Sequence, residues 1–191
     1  FPDSPEIGQM YLDLIDIYIK SKETELAEKL LNEFAENYEK SSDFPRVAMN
    51  LADAFVIAEK PEKERQIYQK VMDFLGKEGR FISTKKVVEK KENSENEYYE
   101  NERKSYTDLL GNTSEQITYD SVLSRYIASL AKEKTFGQIL EVYSNEIAKY
   151  PEQEWLYEQR LSWLEQTNLF DEQLKIYKAT LEKFPTRNWR D

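Results

Sequence analysis

The stretch "FGQILEVYSNEIAKYP", residues 136–151, is followed thirty-four residues later by "FDEQLKIYKATLEKFP", residues 170–185. Both run Phe, Leu, Tyr, an aliphatic residue, an aromatic and a closing Pro at the same spacings. Phe136 falls over Phe170, Leu140 over Leu174, Tyr143 over Tyr177, Ile147 over Leu181 and Pro151 over Pro185. Extended backwards, Leu123 meets Tyr157, Ile127 meets Leu161 and Leu130 meets Leu164. Apolar residues at steps of three and four line one face of a helix. Each unit therefore reads as two amphipathic helices, spanning 118–133 and 135–149 in the first of them. The connections are short, at Lys134-Thr135 and Thr167-Asn168-Leu169. Pro151 and Pro185 end the second helices, because proline lacks the N–H that the helical ladder needs.

The N-terminal half has the same pattern. Tyr11, Leu14, Ile15 and Tyr18 predict the face of one helix; Ala27, Leu31 and Phe34 predict the next, which ends before Phe44-Pro45. Ala48, Leu51, Ala52 and Phe55 then pair with Tyr68, Val71 and Leu75, offset from the first pair by 37 residues. Between Gly76 and Ile117 the rhythm breaks. Gly76-Lys77-Glu78-Gly79 predicts a helix stop. Ser94 precedes Glu97 as in a capping box, and Tyr99, Tyr106, Leu109 and Leu110 predict a helix near 95–110. Residues 77–117 read either as a degenerate helical pair or as a projecting insertion, the first preferred because those apolar side chains need cover.

A helix-turn-helix unit of this length, with small and aromatic positions interleaved and a terminal Pro, resembles the tetratricopeptide repeat family over 6–76 and 118–185. The family's small residue in the second helix is Ala27 in the first unit, but Glu64, Ile139 and Gln173 stand there later. Its small residue in the first helix is Ala52 in one unit, against Ile15, Ile127 and Leu161 elsewhere. The chain thus looks like a divergent member. The resemblance implies an all-α, right-handed helical-hairpin solenoid: two pairs in 1–76, an irregular segment over 77–117, two pairs in 118–185, and the start of a truncated repeat at 186–191 that contains Trp189.

Composition narrows the function. The chain has no His and no Cys. That removes imidazole acid–base catalysis, the usual nucleophile pairs, the usual zinc sites and disulfides. Five scattered glycines form no phosphate-cradling loop. Paired carboxylates remain, but among 37 acidic residues close pairs carry no information. No enzyme activity, cofactor or metal is expected. A net charge of −10 argues against nucleic acid, and the run Lys85–Lys91 is interrupted by Glu89. No apolar run is long enough to span a membrane and no signal-like segment opens the chain. The start at Phe1-Pro2-Asp3-Ser4-Pro5, without Met, is expected of a piece of a longer protein, so the compartment is left open.

Repeats of this kind stack and create an extended concave surface. The resemblance implies that first helices line it and hold an extended or helical peptide. The implied lining is Gln9, Leu12, Asp16 and Ile19, then Arg46, Met49, Asp53 and Val56, then Ser121, Ser124, Ala128 and Ala131, then Trp155, Glu158, Ser162 and Glu165. Of these, Leu12, Asp16, Ile19, Arg46, Met49, Asp53 and Trp155 are the candidate partner-binding residues. Asp16 and Asp53 share one slot of successive units and suit a protein or peptide partner with apolar anchors and a Lys or Arg. A terminal-carboxylate clamp is not expected, because Leu12 and Asp16 stand where the family's Lys and Asn would be needed. The leading function is a protein-interaction module or scaffold. The alternative is a structural spacer or self-assembly segment. Binding predicts an exposed apolar patch around Leu12, Met49 and Trp155; a spacer predicts that the array covers them.

Overall fold

The computed structural model describes residues 5–38, 41–82, 117–167 and 170–185. The expected helix near 95–110, the loop residues Asn168-Leu169 and the segment from 186 lie outside them. The described residues form eight helices and no strand: α1 (Pro5–Lys20), α2 (Thr24–Asn37), α3 (Phe44–Ile57), α4 (Pro61–Lys77), α5 (Tyr119–Lys132), α6 (Phe136–Lys149), α7 (Glu154–Thr167) and α8 (Phe170–Lys183). The fold is all-α, of the helical-hairpin solenoid class. The chain divides into two compact units, Phe1–Tyr126 and Ile127–Asp191.

One turn geometry recurs. Lys22, Glu59 and Lys134 each follow a first helix at φ of 63°, 55° and 58°. The next residue's N–H then reaches back five positions: Glu23 to the Tyr18 carbonyl at 2.9 Å, Lys60 to Phe55 at 3.0 Å and Thr135 to Leu130 at 3.3 Å. This left-handed closure satisfies carbonyls that the helix end would otherwise orphan. Gly79 closes α4 in the same way, at φ 70°, with the Arg80 N–H on Leu75 at 2.9 Å. Prolines mark the other boundaries. Pro45 and Pro61 sit in the first turns of α3 and α4, where a missing N–H is no loss. Pro151 and Pro185 fall just after α6 and α8.

In the first unit α1 packs on α2 and α3 on α4, and α3 packs on both α1 and α2, which is the stacking of consecutive hairpins. Long side chains bridge the second helices: Lys60 pairs with Glu25, Lys63 with Glu28 at 2.9 Å and Lys70 with Asn32. The buried core takes Ile15 from α1, Ala27, Leu31 and Phe34 from α2, Ala48, Leu51, Ala52 and Phe55 from α3, and Tyr68, Val71 and Leu75 from α4. Leu14, expected in that core, is exposed, and Leu12 is buried in its place. Ile7, Met10, Leu14 and Ile17 form an outward apolar stripe, so α1 is apolar on two faces and hydrophobicity alone does not select the inner one.

The chain leaves α4 and enters α5 at one point. Tyr119 and Asp120 donate backbone N–H groups to the carbonyls of Arg80 and Phe81 at 2.9 and 3.0 Å. The Arg80 guanidinium donates to the Ile117 carbonyl at 2.9 Å, and the rings of Phe81 and Tyr119 lie 5.5 Å apart.

In the second unit α6 packs on α7 and α7 on α8. Ile139, Tyr143, Leu156, Leu161 and Leu164 are buried. The four second-helix positions aligned in sequence, Ala27, Glu64, Ile139 and Gln173, are all buried. Their chemistry is met locally: Gln173 donates its amide to the Leu164 carbonyl at 2.7 Å, and Glu64 accepts from the Tyr68 hydroxyl at 2.9 Å. The repeated skeleton is not all core, however. Phe136, Phe170, Leu174 and Leu181 are exposed, because α6 and α8 turn Ile139 with Tyr143 and Gln173 with Thr180 inward.

Candidate functional site

An open cleft of about 750 Å³ lies in the first unit. Its walls are the C-terminal half of α1 and the length of α3, and its rim is the turns into α2 and α4. Asp16, Ile19, Arg46 and Asp53 line it together, so four of the seven candidate residues meet at one place. Asn50 and Ile57 complete the α3 wall. Arg46, Asn50, Asp53 and Ile57 succeed one another at steps of four, three and four, one continuous helical face. Ile57 is 82% exposed and Ile19 is half-buried, which gives the cleft an accessible apolar contact.

Leu12 and Met49 do not belong to it. They are 3% and 5% exposed, so the open apolar patch expected around them is absent. The cause is the number of neighbours. Helix α3 packs on α1, α2 and α4, and the wide arc this buries takes in Met49, while Leu12 joins Ile15 on the inner face of α1. The cleft-facing set is displaced by one residue from the family spacing, to Asn50 and Ile57 instead of Met49 and Val56. Trp155 lies in the second unit, half-buried in the first turn of α7, with its indole N–H donated to Gln153 at 3.2 Å.

The two aspartates are occupied within the chain. Asp16 lies 3.9 Å from the Arg46 guanidinium, which is also 3.7 Å from Asp43. Asp53 pairs with Arg125 of α5. Arg125 lies over the Tyr68 ring, 5.3 Å from its centroid. Burial opposes the charge of Arg125, but Tyr68 and Asp53 outweigh it and hold the group more firmly protonated. Burial pushes the Tyr68 phenol well above its usual range, with Arg125 working against that shift and Glu64 adding to it. At the rim, the hydrogen bond from Lys60 holds the Glu25 carboxyl below the usual carboxylate range.

A second hollow of about 630 Å³ opens between α2 and α4, with Tyr38, Phe44 and Phe74 on its walls. The Phe44 and Phe74 rings lie 5.3 Å apart. Among the described residues no group of three or more His, Cys, Asp or Glu could hold a metal ion. No helix among them is long and apolar enough to cross a membrane.

No protein-family model matches the chain, and no curated protein matches it. A solved structure from a functional characterization of Pseudomonas aeruginosa PilF is similar at 18% identity, covering 93% of this chain and 76% of that one with a TM-score of 0.29. A superposition that loose carries no argument about fold or partner.

Proposed function

We propose that the chain is a non-catalytic docking module, a divergent tetratricopeptide-like array that holds a protein segment in the cleft of its first unit. The observation that carries this is the cleft itself, where Asp16, Ile19, Arg46 and Asp53 converge with Asn50 and the exposed Ile57. Concavity, one accessible apolar anchor and polar groups around it are what a short extended segment needs. The test is selection from a random peptide library on the wild-type chain and on Ile57→Asp. Enrichment on the wild type that is lost on Ile57→Asp, with helical content unchanged by circular dichroism, supports docking.

A second reading, a structural spacer, is favoured by the burial of Leu12 and Met49. It predicts no peptide enriched on the wild type over Ile57→Asp.

A further inference from the structure

The charges of the cleft identify the chemistry of its partner, an inference that rests on the docking reading above. Four cations, Lys20, Lys22, Arg46 and Lys60, and three anions, Asp16, Glu25 and Asp53, line the cleft. Each anion already has a cation of the same unit beside it: Arg46 for Asp16, Lys60 for Glu25 and Arg125 for Asp53. Arg125 and Asp43, the latter 3.7 Å from Arg46, both stand outside the lining and offset one another in charge, which leaves the lining's own excess of one cation. Lys20 and Lys22 are exposed and form no ion pair among the described residues. The surface that meets a ligand is therefore locally positive, although the chain carries −10 overall. The distant acids are screened beyond a Debye length of about 8 Å at physiological salt, whereas the two lysines act at contact.

A basic segment, which the sequence alone suggests for Asp16 and Asp53, would have to displace Arg46 and Arg125 and would face Lys20 and Lys22. An acidic segment breaks no pair and adds to the free lysines. We infer that the cleft takes an acidic peptide segment, with an aliphatic or aromatic side chain against Ile19 and Ile57 and side-chain carboxylates against Lys20 and Lys22. The lysines sit at the end of α1 and in the turn after it, so the acidic residues lie at the rim and the apolar anchor lies inside.

The test uses random dodecapeptides displayed with their C-termini fused to the carrier, so that no free terminal carboxylate is offered. They are selected on the wild-type chain, on Lys20→Glu/Lys22→Glu and on Ile57→Asp. The wild type is expected to enrich acidic sequences that contain a large apolar residue. Reversing two rim charges should weaken a selected peptide by about tenfold or more and move selection on the double variant away from acidic sequences. Basic or uncharged peptides enriched on the wild type and lost on Ile57→Asp would overturn the charge assignment and leave docking standing. No enrichment over Ile57→Asp would overturn docking itself.

Discussion

Replacing Glu59 by glycine should stabilise the protein. Glu59 is exposed and closes α3 at φ 55°. A side chain in the left-handed region costs roughly 1–2 kcal/mol, because its Cβ crowds the following carbonyl. Glycine has no such cost, but its freer unfolded chain gives back about 0.5–1 kcal/mol. The difference is a net gain of about 0.5–1 kcal/mol. Lys134→Gly, at φ 58°, should act in the same direction. Gly79→Ala should act in the opposite one: Gly79 has φ 70°, and nothing lies within 4 Å of an added Cβ, so the change is purely conformational. A shift of about 1 kcal/mol moves Tm by about 2–4 °C in a chain of this size. Thermal melting by circular dichroism reads all three variants. All three tryptophans fall in Ile127–Asp191, so tryptophan fluorescence reads Lys134→Gly in its own unit. Unchanged or lowered Tm for both glycine variants, together with an unchanged Tm for Gly79→Ala, would refute the shared left-handed closure.

Arg125→Met removes a charge-assisted bond to Asp53 and a cation over Tyr68. The two side chains of the ion pair are 20% and 39% exposed, so Asp53 is rehydrated and not stranded. The loss should be about 1–2 kcal/mol in a urea titration; no loss would remove Arg125 from the support of α3. In alkali, burial holds the Tyr143 phenol up to about 12, against an ordinary value of 10.0, with a hydrogen bond from Trp163 working against the shift; Tyr68 is held higher still. The unfolded chain ionises first, so stability is unaffected below pH 10 and falls as pH rises from 10 to 12. Tyr143 alone contributes about 2–3 kcal/mol of that fall. Near-ultraviolet tyrosinate absorbance should show Tyr68 and Tyr143 among the late-titrating groups that join the rest on unfolding; thirteen tyrosines titrating together would contradict their burial.

The hairpins were legible because an amphipathic helix repeats every three and four residues and proline marks its ends. Ala27, Glu64, Ile139 and Gln173 mix apolar with polar chemistry, yet the slot that the family resemblance assigns them is buried in every unit. The cleft was legible only in part. Asp16, Ile19, Arg46 and Asp53 were implied by the family resemblance, but whether Met49 or Asn50 faces out depends on how many helices surround α3, which no spacing records. Met49 is apolar and Asn50 polar, and hydrophobicity read correctly would have exchanged them; family spacing pointed the other way. The Asp53–Arg125 pair links positions 72 apart in the chain. It is a tertiary contact between α3 and α5 with no local signature. The aromatic skeleton of the opening motif showed the repeat but not its burial, since Phe170, Leu174 and Leu181 recur in sequence and yet face solvent.

Isoleucine methyl groups report whether a peptide sits between α1 and α3 of the first unit. A library-selected peptide would be titrated into the 191-residue chain with isoleucine δ-methyls labelled. Ile19 and Ile57 line the cleft, whereas Ile139 is buried in the other unit. Docking in the cleft predicts saturable shifts at Ile19 and Ile57 with Ile139 unmoved. Shifts confined to Ile139 and its unit, with Ile19 and Ile57 silent, would contradict it.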